Sequence, residues 1–279
     1  MASSTVLKLN DGIEMPLFGI GLYNVIENVD KTIQYALQNG YRMFDTAKYY
    51  GNELEIGQAL RNSGVERNNY FVVTKLWISD HGYKKTKAAF MESLKKLGLE
   101  YVDLYLIHSP SGGKIVETWQ AMEELKKDGL IRSIGVSNFN VHHLEKLKEA
   151  CDINQMPLPS INQIEIHPWL QQQKIIDYCK SLGINVMGFC PLARCVKFNK
   201  TPVLAELSKK WNKTEAQILL RWAIQRKIFT IPKSSNPSRI KENAEIFDFQ
   251  IDESDMEKLN ALEEGLRVST NAIERPWVE

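Results

Sequence analysis

No long apolar stretch, no surplus of one charge and few cysteines mark this sequence, and each shortage closes off a class of protein. Its apolar runs all fall short of the roughly 18 residues that mark a membrane-spanning helix. The opening stretch, Met1 to Asn10, lacks the basic end and apolar core of a secretory leader. With 35 Lys and Arg against 34 Asp and Glu the net charge is +1, so no broad field gathers nucleic acid or a membrane surface. Basic residues that matter must act locally. The 4 cysteines, Cys151, Cys179, Cys190 and Cys195, are too sparse for a disulfide framework and fit free thiols in a reducing cytosol. No Cys or His stands at zinc spacing from Cys190 and Cys195, and His142, His143 and His167 make no ligand set, so no metal is expected. His142 and His143 are adjacent on a helix and are expected to be solvated.

What is present is a rhythm. A hairpin comes first: Val6–Leu9, the turn Asn10-Asp11-Gly12, then Ile13–Met15, with Asp-Gly as the turn signal. Short apolar strands then alternate with amphipathic helices. Strands are expected at 17–21, 41–45, 70–75, 102–108, 131–137, 161–166, 184–189 and 228–231. Helices follow each one, with the last near 253–264. Eight such units in about 250 residues match a (β/α)8 barrel in count and length. A doubly wound sheet would want a Gly-x-Gly-x-x-Gly turn, and Phe18-Gly19-Ile20-Gly21-Leu22 lacks the third glycine. No linker or repeat breaks the pattern, so 1–279 reads as a single α/β domain, a (β/α)8 TIM barrel. The hairpin precedes it, and a C-terminal tail from Arg267 frays or folds over it.

Barrel active sites are built at the C-terminal ends of the strands. The second, third and fourth strands lead there to Asp45, Lys75 and His108, with Tyr50 five residues beyond the aspartate. Singly, such residues are usually caps or packing. On three adjacent strands of one rim they compose a proton-transfer site. A free phenol has a pKa near ~10, and a neighbouring ammonium is expected to lower it. Asp45 would neutralise and position Lys75, and His108 would orient a substrate oxygen. That set protonates an alkoxide formed from a carbonyl but supplies no electrons, so a hydride donor is required. Ser137, Asn138 and Gln163 can hydrogen-bond a carboxamide, and Phe189 can stack on a flat ring. Lys233 and Arg239 flank a Ser-Ser-Asn turn that opens a helix, a place where barrels bind phosphate.

With these motifs in order, the chain resembles the aldo-keto reductases over essentially its whole length. Gly40–Glu53 is similar to the family's first signature. Tyr105–His108, Gly135–Phe139, and Ile231–Ser234 with Arg239, Glu242 and Asn243 match three more. The resemblance implies Asp45, Tyr50, Lys75 and His108 as catalytic residues, with Tyr50 as general acid, and NADPH/NADP as cofactor. It implies that Asp45 also contacts the nicotinamide ribose, that Ser137, Asn138 and Gln163 hold the carboxamide, and that Phe189 stacks on nicotinamide. Lys233, Ser234, Asn236 and Arg239 would take the 2′-phosphate, and Glu242 and Asn243 the adenine. Cys190 and Leu192 lie in the loop expected to close over the cofactor. Tyr23, Trp77 and Ser109 would line the substrate pocket. The short excursion Ser109–Gly113 is most like the short-loop members, which include diketogluconate reductases and protozoan-type prostaglandin F synthases.

Several positions depart from the family pattern. Phe189 replaces the usual Tyr or Trp. Cys190-Pro191-Leu192-Ala193-Arg194 stands where Ser-Pro-Leu-Gly is usual. Ser109 and Tyr23 replace large apolar rings, which implies a roomier, more polar pocket. The function expected is NADPH-dependent reduction of aldehydes and ketones by a cytoplasmic monomer, acting on a small-molecule carbonyl, with no nucleic acid or membrane partner. Two rivals differ in chemistry: a Schiff-base role for Lys75, which Asp45 opposes by keeping the lysine protonated, and a cofactor-binding sensor with little turnover.

Overall fold

The computed structural model describes residues 5–279. In the hairpin, β1 (Val6–Lys8) pairs antiparallel with β2 (Glu14–Pro16). Eight strands follow: β3 (Ile20–Gly21), β4 (Met43–Asp45), β5 (Phe71–Leu76), β6 (Val102–Ile107), β7 (Ile131–Ser137), β8 (Ile161–Glu165), β9 (Asn185–Phe189) and β10 (Phe229–Thr230). They lie side by side in chain order and all their pairings are parallel. Helices α1 (Val29–Gln38), α2 (Glu53–Arg61), α3 (Tyr83–Leu97), α4 (Ile115–Lys127), α5 (Val141–Asn154) and α6 (Gln173–Ser181) each fill one crossover. The crossover to β10 carries two, α7 (Pro202–Trp211) and α8 (Glu215–Gln225), and α9 (Pro237–Ala244) and α10 (Glu253–Asn260) come last. This is the (β/α)8 barrel that the alternation predicts.

The two ends of the sheet meet through single bridges, Phe18 to Thr230 and Gly21 to Lys233. Gly19 N and Gly21 N each donate at 3.0 Å, to Thr230 O and Pro232 O. A Cβ at Gly21 would stand 3.0 Å from the Ile231 carbonyl, so glycine lets the strands approach without pushing that carbonyl aside. This explains why the first strand is shorter than the apolar run 17–21: its early residues bridge across the seam instead of joining a ladder. The last helix also stops early, at Asn260. Beyond it Glu264 N and Leu266 N turn back to donate to Trp169 O.

Strands β4, β5 and β6 are buried at every position, as parallel strands covered on both faces must be. Side-chain alternation then assigns the faces. Thr74 Oγ1 donates to Glu53 Oε1 of α2 at 2.6 Å, which points Thr74 at the helices and its neighbour Lys75 into the barrel. At the opposite end, Asp103 is buried and paired with Arg67 (2.6 Å) and Arg132 (2.8 Å). The hairpin sits at that end too, with Asp11 Oδ2 accepting from Lys126 Nζ and Ser133 Oγ at 2.5 and 2.8 Å. Stability contacts therefore occupy one end of the barrel and leave the other for chemistry. Among the described residues no helix is long and apolar enough to cross a membrane.

Candidate active site

Asp45 ends β4, Lys75 lies one residue before the end of β5, and His108 follows β6 directly. Tyr50 closes a single 3-10 turn, Lys48–Tyr50, which Gly51 ends in the left-handed region. Buried Asn52 fixes this turn: its Nδ2 donates to Leu22 O and Val25 O at 2.8 and 3.0 Å, and its Oδ1 accepts from Thr46 Oγ1 at 2.7 Å. The loop after β4 is thereby tied to the loop after β3.

The four predicted residues converge. Lys75 Nζ donates to Asp45 Oδ1 at 2.6 Å, to Thr46 O at 2.9 Å and to Tyr50 Oη at 3.4 Å. Lys75 and Asp45 are both buried. Burial lowers the Lys75 pKa, and the charge of Asp45 acts against that. The phenol departs from expectation. Burial pushes the Tyr50 pKa well above its ordinary value, and Asp45 adds to the rise. Burial is the larger influence, and the charge of Asp45, 2.6 Å from Lys75 Nζ, acts in the same direction. Tyr50 is thus a phenol that keeps its proton. Should it lose that proton, Lys75 is already in place: at an effective dielectric of about 20, two opposite charges 3.4 Å apart attract by on the order of 5 kcal/mol. His108 is pushed down to about 3 by burial, with Lys75 adding to the shift, so its ring is neutral at ordinary pH.

Aromatic rings frame this centre. Tyr23 packs edge-on to Tyr50 at 5.0 Å, and Trp77 edge-on to His108 at 5.1 Å. Tyr49, absent from the predicted set, stacks on Trp77 at 4.0 Å and 17°. Tyr23 and Tyr49 are 43% and 54% exposed, unusual for rings beside a buried ion pair and typical of a binding surface. Ser109 adds less polarity than its type implies, because its Oγ is hydrogen-bonded to Ser111 Oγ at 2.8 Å.

The three residues expected to hold a carboxamide form a chain of their own. Asn138, left-handed at φ 63°, donates from Nδ2 to His108 O at 2.9 Å and to Ser137 Oγ at 3.1 Å. Ser137 Oγ donates to Gln163 O at 2.9 Å. Gln163 Nε2 reaches across to Asp45 Oδ2 at 2.7 Å. Asp45 is therefore held from both sides, by Lys75 at one oxygen and Gln163 at the other. The side-chain oxygens of Asn138 and Gln163 remain as acceptors suited to an amide NH2 group.

Phe189 ends β9 half-buried. After it, Cys190, Ala193, Arg194 and Cys195 all take positive φ (51°, 45°, 49° and 61°), where only glycine is at ease. Burial raises the pKa of the Cys190 thiol, and Arg194 acts against that rise. Leu192 is half-buried in the same loop. Lys233 and Arg239 are exposed, and neither has an ion pair among the described residues. Asn236 caps α9 by accepting from Arg239 N at 3.2 Å, and Ser234 Oγ accepts from Asn236 N at 3.1 Å. Two unpaired cations at a helix N-terminus fit a phosphate group. Asn243 is buried, and Glu242 Oε1 accepts from Thr214 Oγ1 at 2.8 Å, which ties it to α8. The residues present thus fit a nicotinamide dinucleotide laid from Phe189 to α9.

The model of the aldo/keto reductase family matches residues 17–264. The chain belongs to this family. It is 46% identical to a glyoxal reductase of Bacillus subtilis (strain 168), with 96% of each chain covered. It is 43% identical to the 9,11-endoperoxide prostaglandin H2 reductase of Trypanosoma cruzi (strain CL Brener), over 94% of this chain and 93% of that one. Among solved structures, an aldo-keto reductase of Bombyx mori in complex with NADP superposes with a TM-score of 0.89. That pair is 37% identical over 97% and 96% of the two chains. The short-loop character read from the Ser109–Gly113 segment agrees with these relatives, and the chain is an oxidoreductase.

For an aldo/keto reductase of this kind, sequence reasoning overlooked two parts of the rim. His143 is wholly buried, not solvated as expected. Its Nδ1 accepts from Asn140 N at 3.0 Å, completing a capping box for α5, and its Nε2 donates to Arg275 O at 2.7 Å. The interval between residues 143 and 275 hides this partner. Glu165, the last residue of β8, is also wholly buried. The strand-end rule that found Asp45 would have found it. A cleft of about 590 Å³ lies away from the tyrosine, between the N-terminal ends of α3 and α4 and beside Val278 and Glu279.

Proposed function

We propose that this chain reduces aldehydes and ketones to alcohols with NADPH, using Tyr50 as the general acid. The observation that carries the reading is Tyr50 Oη 3.4 Å from Lys75 Nζ, with that lysine held by Asp45 at 2.6 Å and His108 beside it. When bound, the reduced nicotinamide supplies the hydride to the carbonyl carbon. Tyr50, which retains its proton at neutral pH, gives it to the carbonyl oxygen as negative charge develops there. Lys75 then steadies the phenolate, and Asp45 keeps Lys75 charged in a site poor in water. Neutral His108 directs the oxygen by a hydrogen bond. Ser137, Asn138 and Gln163 orient the carboxamide, Phe189 supports the ring, and Lys233, Ser234, Asn236 and Arg239 take the 2′-phosphate. Glu242 and Asn243 would hold the adenine, and Cys190 and Leu192 belong to the loop that would close over the cofactor. Tyr23, Trp77 and Ser109 border the substrate.

The unpaired Lys233 and Arg239 favour NADPH over NADH, because a bare ribose gives these cations no anion. The sensor reading is disfavoured by the intact buried pair and by relatives named as reductases. The same proposal takes 1–279 as one domain working as a cytosolic monomer. The test is a fluorescence titration with NADPH and NADH, then turnover of glyoxal and simple aldehydes. Saturable binding of NADPH, at least tenfold tighter than NADH, with aldehyde-dependent oxidation supports the reading. Tight binding without turnover of any carbonyl overturns it.

A further inference from the structure

Asn52 stands where an asparagine ordinarily caps a helix, and it does not cap one. It directly precedes α2, and its carbonyl accepts from Ile56 N at 3.0 Å, yet its side chain makes no capping bond. An asparagine in this place usually accepts from the N–H groups of its own first turn. Here the side chain is 1% exposed, and its bonds all lie outside α2. Nδ2 donates to Leu22 O at 2.8 Å and to Val25 O at 3.0 Å, and Oδ1 accepts from Thr46 Oγ1 at 2.7 Å.

Those bonds reach the proton-transfer centre from two sides. On one side is Thr46, whose hydroxyl holds Asn52. The carbonyl of Thr46 accepts from Lys75 Nζ at 2.9 Å, and its N–H donates to Val73 O of β5 at 2.8 Å. On the other side is the turn Leu22–Val25, closed by Val25 N donating to Leu22 O at 3.1 Å. That turn carries Tyr23. Tyr50 meets both supports: its ring lies edge-on to Tyr23 at 5.0 Å, and its Oη stands 3.4 Å from Lys75 Nζ. The start of the Tyr50 turn is held differently, by Lys48 Nζ at 3.0 Å from both Asp80 Oδ2 and Glu92 Oε2. Those charges are partly exposed and screened by water, so they grip weakly. The bonds of Asn52 are buried, and losing its amide would leave buried groups short of a partner, which costs more.

We infer that Asn52 is a positioning residue for proton transfer: it sets Tyr50 Oη against Lys75, through Thr46 on one side and Tyr23 on the other, and acts only through Tyr50. This rests on the reductase reading with Tyr50 as the acid.

The test is a double-mutant cycle in the full chain: Asn52→Ala, Tyr50→Phe and the two combined. Thr46→Val serves as a milder variant and Lys48→Ala as a control on the same turn. Single-turnover reduction of glyoxal at saturating NADPH is followed by rapid mixing, so the amplitude counts folded enzyme and the rate reports the site. Asn52→Ala should slow that rate by about 10 to 100 times, the cost of misplacing a reacting group by up to an ångström. Its NADPH dissociation constant should stay within about twofold. Thr46→Val removes one bond and keeps the carbonyl that holds Lys75, so a loss of about three- to tenfold is expected. Lys48→Ala should change the rate by less than about twofold.

The deciding comparison is in the Tyr50→Phe background. There Asn52→Ala should slow the residual reaction by less than about twofold, because nothing is left for it to position. A role in stability alone would carry the same loss into both backgrounds, and equal slowing there overturns the proposal. An Asn52→Ala enzyme as fast as the unaltered one overturns it too, as does Lys48→Ala slowed as far as Asn52→Ala. Should Asn52→Ala not fold, Thr46→Val in the two backgrounds decides in the same way: slowing confined to the enzyme with Tyr50 supports the role, and equal slowing overturns it. Tyr50→Phe as fast as the unaltered enzyme, or no turnover by the unaltered enzyme, overturns the reductase reading and the role of Asn52 with it.

Discussion

The two halves of the rim are built on opposite plans. From β4 to β6 the groups proposed to move a proton come from strand ends or the turn beside one, and the ion pair among them is bonded to the protein, Lys75 to Asp45 and Thr46 and Asp45 to Gln163, while buried His108 Nδ1 has no partner among the described residues. From β9 to α9 the groups suited to a dinucleotide lie on turns and a helix start, several with left-handed backbone, and the two cations are exposed and have no ion pair among the described residues. The difference teaches what each task requires. Proton transfer needs atoms fixed beforehand within a few tenths of an ångström. Binding a long, charged, detachable molecule needs groups whose partners are left for the ligand.

The sharpest break in that contrast is Tyr50→Phe. It removes one oxygen from the fixed half, and single-turnover reduction should slow by about 10² to 10⁴, the usual contribution of a positioned acid. A loss under tenfold, measured by rapid mixing with saturating NADPH, would move the proton donor elsewhere. Next in size is the exposed half. Arg239→Ala and Lys233→Ala should each weaken NADPH by about tenfold or more, as expected for one charge-assisted bond, with thermal stability unchanged and NADH binding unaffected. Equal weakening of NADH in calorimetric titrations would rule out a 2′-phosphate contact. The smallest effect sharpens the comparison through His108. Its pKa is lowered from 6.5 to about 3, so the unfolded chain takes up this proton before the folded one. The native state is therefore disfavoured as pH falls from about 6.5 toward 3 and indifferent to this group above that window. The His108 ring resonances should not move between about pH 5 and 8 in NMR titration; a midpoint near neutrality would contradict a neutral hydrogen-bond donor.

Much of this was legible in the chain, and for physical reasons. Period-2 and period-3.6 patterns are local, so the eight units and the residues at the strand ends could be read directly, and the family motifs fixed Asp45, Tyr50, Lys75 and His108 in one place. What escaped depended on distance in sequence. Whether Lys75 or burial governs Tyr50 turns on how far the folded chain withdraws the phenol from water, which residue types alone do not disclose. Gln163 looked like a ligand-binding amide and also steadies Asp45. His143 looked like surface because its partner is the carbonyl of Arg275, in a tail with no period to place it. Tyr49 was hidden beside Tyr50, since nothing local shows which of two adjacent rings faces Trp77.

The measurement that bears most directly on the account pairs Tyr50→Phe with Arg239→Ala and records two quantities for each: the NADPH dissociation constant and the rate of a single turnover at saturating cofactor. The account predicts a crossed result, with Tyr50→Phe binding NADPH like the unaltered enzyme but turning over at least about a hundredfold more slowly. Arg239→Ala should bind about tenfold more weakly, yet turn over normally once saturated. If either variant loses both properties together, the two halves of the rim are not separate devices, and the division of labour drawn here is wrong.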